Sequence, residues 1–327
     1  MRAPDFWWRP APSFLARLLS PFGAFYGART LARMGLPGKA SSIPVICVGN
    51  PVAGGAGKTP AAIEIARLLN LARRNPVFLT RGYGGKLEGP VRVDPKTHTA
   101  RDVGDEPLLL CRTAPCVVAH DRVSGAALAA KFGDVIVMDD GFQNPSLKKD
   151  MSLLVIDTEQ GIGNGLCIPA GPLRAPIEDQ LARADAVILI GEGKAAGFLG
   201  RRKKPPQLAA RLVPDAKLAG ALKGRRVLAF AGIGRPQKFS GTLKALGADV
   251  VRLAAFGDHH VFTVAEARAL LDEAAREDLT LVTTEKDFAR LTGPELKWLA
   301  DKTYALPVRL AFDNPKLVTS GLKKLFG

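Results

Sequence analysis

The stretch "IPVICVGNPVAGGAGKTPAAIEIARLL", residues 43–69, decides the fold. It opens with a near-continuous hydrophobic run of strand length, "IPVICVG", and closes with "AAIEIARLL", whose apolar residues recur near i, i+3, i+4 and i+7. A glycine-rich turn joins the two. Strand, glycine-rich loop and helix in this order form a phosphate loop. Gly54, Gly55 and Gly57, with Ala56 between them, let successive backbone N–H groups converge on phosphate oxygens. The positive end of the helix that follows adds attraction. Lys58 is expected to reach the β- and γ-phosphates and Thr59 to bind Mg²⁺. Pro60 falls in the first helical turn, where an N–H has no partner to lose. The strict pattern GxxxxGK[ST] would put glycine at position 52, where this chain has Val52, so the loop is a variant.

Outward from this stretch the same alternation continues. Strand-length apolar runs recur at 76–82, 134–140, 152–158, 186–191, 227–232 and 280–287, each followed by helical periodicity. Near-continuous hydrophobic strands of this kind are buried on both faces, and their alternation with helices predicts a parallel-sheet α/β architecture. Between Lys194 and Arg226 the character changes, and "GRRKKPPQ" (200–207) concentrates positive charge and breaks secondary structure. The expected division is therefore an amino-terminal segment (1–40), a phosphate-loop core (41–200) and a second, smaller α/β lobe (201–327). No internal repeat or low-complexity tract is evident.

Three further places carry titratable groups suited to chemistry. "DVIVMDDGFQN" ends a hydrophobic run in Asp139 and Asp140, where a parallel sheet delivers residues to its ligand edge. Such acids hold Mg²⁺ directly or through water, or simply begin a turn. "VGDEPLLLC" sets Asp105 and Glu106 at the start of a helix, as capping acids or as a base and a Mg²⁺ ligand. "FGDHHVFTVAEARALL" holds His259 and His260 in a loop, followed by Thr263 and Glu266 in capping-box spacing. A histidine there either joins a metal site or orients and polarises an acid. Lys58 and Asp105 both read as lying on surface loops.

The balance of 46 Lys and Arg against 31 Asp and Glu gives a net charge of +15, which favours anionic partners: nucleic acid, acidic membrane or phosphorylated substrate. Residues 1–40 contain Arg2, Arg9, Arg17, Arg29, Arg33 and Lys39 against Asp5, interleaved with Phe6, Trp7, Trp8, Phe14, Phe22, Phe25 and Tyr26. That mixture suits a lipid headgroup interface. Its longest uncharged run, Leu18 to Ala28, has about half the ~20 residues needed to span a bilayer. The segment is expected to lie on the membrane. The four cysteines, Cys47, Cys111, Cys116 and Cys167, lack paired metal-site spacing and suit a reducing compartment.

With these residues assembled, the sequence resembles the tetraacyldisaccharide 4′-kinase family. The resemblance rests on "VGNPVAGGAGKTP", "LTRGYGG" (79–85), "VGDEPLLL" (103–110), "MDDGFQN" (138–144), "PAGPLRAP" (169–176), "AGIGRPQKF" (231–239), "FGDHHVF" (256–262) and "TTEKDFARL" (283–291), in that order. It implies transfer of the ATP γ-phosphate to the 4′-hydroxyl of a lipid A disaccharide 1-phosphate, at the cytoplasmic face of the bacterial inner membrane. It also implies an aspartate–histidine dyad that activates the sugar hydroxyl, which falls on Asp105 and His259, with His260 a close rival. Glu106, Asp139 and Asp140 then join Thr59 as candidate Mg²⁺ ligands, and Arg81, Arg174 and His260 as candidate substrate contacts. The peripheral segment would hold the enzyme at its acylated acceptor, with no obligate protein partner. Two departures stand out: Asn144 replaces the histidine of DDGFQH, and Ala175 the glutamate of GPLREP.

Two other classes share some of these features. A membrane-associated regulatory ATPase also carries "GGAGKT", but usually with a lysine where Ala53 stands. A nucleic-acid module would draw on charge alone, and the basic stretch 194–226 has a single aromatic residue, Phe198, too few for successive stacking platforms. Nucleic acid is therefore not an expected partner.

Overall fold

The computed structural model describes residues 3–55, 57–193, 205–291 and 293–326. A short 3₁₀ turn (Asp5–Trp8) leads into α1 (Phe14–Met34). The first half then runs β1 (Val45–Gly49), α2 (Lys58–Leu71), β2 (Pro76–Thr80), β3 (Val91–Arg92), α3 (Ala100–Val103), α4 (Asp105–Leu110), β4 (Cys116–Val118), α5 (Arg122–Ala129) and β5 (Val135–Asp139). Next come β6 (Met151–Asp157), α6 (Ile177–Ala182), β7 (Ala186–Ile190), β8 (Gln207–Pro214), α7 (Ala216–Leu222), β9 (Arg226–Ala231), α8 (Pro236–Ala245) and β10 (Asp249–Ala255). The chain closes with α9 (Val264–Glu277), β11 (Thr280–Thr284), α10 (Glu285–Leu291), α11 (Lys297–Ala300), β12 (Thr303–Leu306), β13 (Val308–Phe312) and α12 (Pro315–Lys323).

The strands form two sheets. Nine of them lie in the order β13-β8-β7-β6-β1-β5-β2-β4-β3, parallel except for the edge pairs β13·β8 and β3·β4. Along β1, Ile46 and Val48 enter the core beneath α2, α4 and α12, while Val45 and Cys47 face the core beneath α5, α6 and Met34. Burial on both faces is what the unbroken hydrophobic runs require. The second sheet, β10-β9-β11-β12, is wholly parallel, with Leu228 and Phe230 packed under α9 and Val227 and Ala229 under α8.

Sheet membership moves the boundary expected at 200/201. Residues 207–214 pair with β7, and 308–312 return to pair with 207–214, so both belong to the large sheet. The second sheet is an insertion, β9 to β12, between β8 and β13. The alternating, half-exposed pattern of 207–214 lacks the apolar continuity of the inner strands, and the charged stretch before it hid its start. Of that stretch, 200–204 lie outside the described residues. The run at 280–287 likewise divides, its last three residues opening α10.

Helix α1 has two unlike faces. Ala16, Gly23, Gly27 and Thr30 are buried, and a Cβ on Gly27 would come within 2.8 Å of Cys167 Sγ. Glycine here lets the helix lie directly on the 167–176 strip. The opposite face presents Phe14, Leu18, Phe22 and Phe25, each more than 60% exposed. Among the described residues no helix is long and apolar enough to cross a membrane.

Candidate active site

The phosphate loop joins β1 to α2 and is stapled from inside. Asn50, fully buried, donates Nδ2 to Val52 O at 2.8 Å and Gly54 O at 3.1 Å. Gly54 and Gly57 have φ of +108° and +81°, values glycine adopts without a Cβ clash. A Cβ on Gly57 would also meet Ile190 Cδ1 at 2.5 Å. Val52, the departure from the strict pattern, forms an antiparallel bridge with Leu173. Flanking bonds from Ala53 N to Pro172 O and from Arg174 N to Pro51 O, both 2.8 Å, extend that pairing. Extended backbone suits valine, so the substitution serves a strip that supports the loop. Ala56 lies outside the described residues.

Lys58 opens α2 and is buried, contrary to its reading as a surface-loop residue. Its Nζ turns back over the loop, 3.4 Å from Gly54 O and 3.9 Å from Asp140 Oδ2. Thr59 Oγ1 donates to Asp139 Oδ2 at 3.2 Å. Asp139 ends β5 fully buried, and its Oδ1 has no hydrogen-bond partner. Burial, reinforced by the Glu106 charge, pushes its carboxyl up to about 7. Asp140 behaves oppositely: against the upward push of burial, Lys58 and Arg174 hold it at about 2.

Arg174 is committed to bracing this corner. It grips Asp140 with Nη1 and Nη2, at 3.0 and 3.4 Å, and donates Nε to Val52 O at 3.2 Å. Gln143 and Gln180 continue the network, Gln143 Nε2 donating to Asn50 O at 2.8 Å and Gln180 Nε2 to Ala175 O at 2.6 Å. Ala175 thus contributes its carbonyl where a glutamate was absent. Asn144 takes a local role, its Oδ1 accepting from Ser146 N and Oγ at 2.8 and 2.6 Å. Arg81 stands exposed on the loop after β2.

The site is completed where α4, of the large-sheet lobe, meets the inserted lobe. Asp105 opens α4 after Gly104 (φ +89°) and is only 3% exposed, again not a surface-loop residue. Its Oδ1 lies 3.3 Å from His259 Nδ1 and accepts from Glu106 N at 3.0 Å. Arg290 donates Nε at 3.1 Å, and also Nη2, to Oδ2. Burial alone would raise this carboxyl, but the His259 hydrogen bond and the Arg290 charge hold it well below the usual carboxylate range. His259 responds in kind: its bond to Asp105 raises its pKa against the effect of burial. His259 is the more open member of the pair, its ring edge-on to Tyr83 at 5.0 Å. Its φ of +57° turns the chain so that its own N donates to Gly232 O at 3.1 Å.

His260 is held elsewhere. Its Nε2 lies 3.0 Å from both oxygens of Glu266, and its ring stacks on Phe256 at 4.8 Å. Glu266 also closes the capping box with Thr263 that the sequence led one to expect. Glu106 meets Lys286 Nζ at 2.5 Å.

Among the described residues, four cations that the inserted lobe carries to acids of the large-sheet lobe were not singled out by sequence: Arg235, Lys238, Lys286 and Arg290. Arg235 and Lys238 reach Asp157, at the end of β6, and Gly234 lies against the phosphate loop, with a Cβ there 4.0 Å from Gly55 N. Their signal was present in "GRPQKF" and "EKDFAR", where cations sit beside a strand end.

Among the described residues no three His, Cys, Asp or Glu side chains form a ready-made metal cluster. Thr59 and Asp139 nevertheless fit a hard cation shared with phosphate oxygens: a hydroxyl and a carboxylate already adjoin, and one buried carboxylate oxygen is unpartnered. Asp140 and Glu106 are engaged by Arg174 and Lys286 instead.

A phosphate cradle thus faces an acid–histidine pair across a lobe interface, an arrangement suited to phosphoryl transfer onto a hydroxyl. Comparison with known proteins agrees. Residues 15–326 match the family described as tetraacyldisaccharide-1-P 4′-kinase. A tetraacyldisaccharide 4′-kinase from Bradyrhizobium diazoefficiens is 55% identical over 320 residues, covering 96% of this chain and 94% of its own. One from Methylobacterium sp. (strain 4-46) is 54% identical over 331 residues, covering 99% and 98%. The crystal structure of LpxK from Aquifex aeolicus in complex with ATP aligns with a TM-score of 0.73 at 26% identity, over 96% of this chain and 100% of that one. On this evidence the chain belongs to the tetraacyldisaccharide 4′-kinase family.

Proposed function

We propose that the chain transfers the γ-phosphate of ATP to the 4′-hydroxyl of tetraacyldisaccharide 1-phosphate, at the cytoplasmic face of the inner membrane. The observation that carries this reading is the Asp105–His259 pair, 3.3 Å apart, beside a phosphate loop whose lysine is Lys58. The N–H groups of Gly54, Gly55 and Gly57 and the Lys58 ammonium hold the β- and γ-phosphates. Thr59 and Asp139 would hold Mg²⁺, which would offset charge on the phosphate oxygens.

The acceptor hydroxyl gives its proton to the Asp105–His259 pair as its oxygen bonds to the γ-phosphorus and the bond to ADP breaks. His259 is the open member, and Asp105, fixed by Arg290, keeps the imidazole oriented and basic. Arg81 is left to contact acceptor phosphate. Arg174 supports the loop through Asp140, and His260 supports the His259 turn through Glu266.

The amino-terminal segment, 1–40, attaches the enzyme to anionic membrane. Its support is the aromatic face of α1, opposite the face that docks on the protein. The large sheet is the kinase core, and the inserted β9–β12 lobe carries the catalytic histidine.

The test incubates purified protein with Mg²⁺-ATP and tetraacyldisaccharide 1-phosphate and weighs the lipid. A gain of one phosphate, absent with Lys58→Ala, is the expected result. ATP hydrolysis without lipid phosphorylation would overturn the reading.

A further inference from the structure

Lys286 is the second residue of α10, in the first turn of its helix. A cation there opposes the helix dipole, so an exposed lysine would gain nothing by the position. Here the side chain leaves the second lobe altogether and sets its Nζ 2.5 Å from Glu106 Oε1, on the first lobe. Glu106 also feels the charge of Lys58. Glu106 is therefore paired directly with the ammonium of one lobe and lies within the electrostatic reach of the other's. The Lys286 charge extends to Asp105 and Asp139 as well, so it stands among the acids that surround the phosphate loop's lysine.

Phosphoryl transfer spreads negative charge over three equatorial oxygens, and fixed cations that meet that charge supply much of the catalysis. Lys58 approaches from the loop side alone. We infer that Lys286 is a second phosphate-neutralising lysine, delivered across the lobe interface: it is held at the site by Glu106 and turns to the transferring γ-phosphoryl group when ATP is bound. This rests on the kinase reading above. Glu106 then keeps a part-buried ammonium paired until phosphate arrives, since an unpaired one would be costly. In the transfer itself the Pγ–O bond to ADP breaks, the bond to the 4′-oxygen forms, and the hydroxyl proton leaves to the Asp105–His259 pair. Lys286 keeps its protons throughout.

The experiment compares wild-type protein with Lys286→Ala and Lys286→Met, the second retaining an apolar stem of similar length. Turnover of tetraacyldisaccharide 1-phosphate, KM for ATP and the thermal midpoint are measured, with and without added ethylammonium. The expected result is a fall in kcat of about 10²–10³-fold with a smaller change in KM. Ethylammonium should restore turnover to Lys286→Ala but not to Lys286→Met, whose side chain fills the site. A role confined to holding the lobes together would give lost turnover that tracks a lowered midpoint and ignores the amine, and that outcome overturns the inference. Near-normal kcat in Lys286→Met overturns it too. Failure of the wild-type protein to phosphorylate the lipid would instead count against the kinase reading itself.

Discussion

Asp157 on the large sheet accepts from Lys238 of the inserted lobe at 2.8 Å, and the same oxygen accepts from Arg235 at 3.0 Å. Arg235 spans further, to Glu159 at 2.9 Å. Asp157 is buried while both cations are part-exposed, so the bridge lies between the about 0–1 kcal/mol of an exposed pair and the about 3–5 kcal/mol cost of breaking a buried one. Asp157→Asn should cost about 1–3 kcal/mol by that argument. Urea unfolding at unchanged slope would measure it, and the salt dependence of the wild-type protein should shrink in the variant.

Asp105 predicts a different balance. Removing its carboxylate leaves the Arg290 guanidinium, 7% exposed, without its cross-lobe partner, though Asp287 remains at 2.8 Å. Asp105→Ala should therefore lose both turnover, by orders of magnitude, and stability, by up to about 3–5 kcal/mol. Asp105→Ala/Arg290→Met should recover much of the stability and none of the turnover. A single variant that lost activity at full stability would mean that Arg290 is satisfied elsewhere.

The pair also sets a pH signature. His259 is raised by its bond to Asp105, so its ring resonances should titrate above the ordinary histidine value of about 6.5. In its proposed role of proton acceptor it must be neutral, and kcat/KM should rise with pH through that same midpoint. Its contribution to stability runs the other way, full below the unfolded value and lost as pH rises through the folded one. In Asp105→Asn the midpoint should drop, and NMR titration of the ring would show it directly.

Much of this site was legible in sequence because its parts are local. Strand β1, the glycine turn and α2 follow from periodicity and glycine spacing within 27 residues, and Asp139 needs only the rule that parallel strands end at the ligand edge. Asp157 obeys the same rule at the end of β6, but "VIDT" offered no second acid to draw attention. Lys286 and Arg290 look like two ordinary solvated cations one turn apart on a helix surface. Their meaning comes from Glu106 and Asp105, some 180 residues earlier, and no local pattern encodes that meeting. The fate of His260 was likewise undecided until the ring was found against Glu266.

The aromatic face of α1 yields a separable prediction. Burying a phenylalanine side chain in an apolar phase is worth about 1.5–3 kcal/mol, and Phe22 and Phe25 point away from the protein. Phe22→Ser/Phe25→Ser should weaken binding to vesicles containing phosphatidylglycerol at least about tenfold by that estimate. Nucleotide affinity should stay unchanged, because neither residue touches the loop's support. Flotation with vesicles, beside ATP titration without lipid, would separate the two effects.

Gly23 and Gly27 let α1 rest on the strip that carries Leu173, and Leu173 is bridged to Val52. One layer of backbone therefore separates the helix from the phosphate loop. On the proposed docking, the helix acts as a depth gauge: where its aromatic rings settle among the acyl chains fixes the height of the loop above the bilayer. A bulkier residue at position 23 or 27 would lift that gauge, and an acceptor anchored by its own chains would then meet its phosphate donor at the wrong elevation.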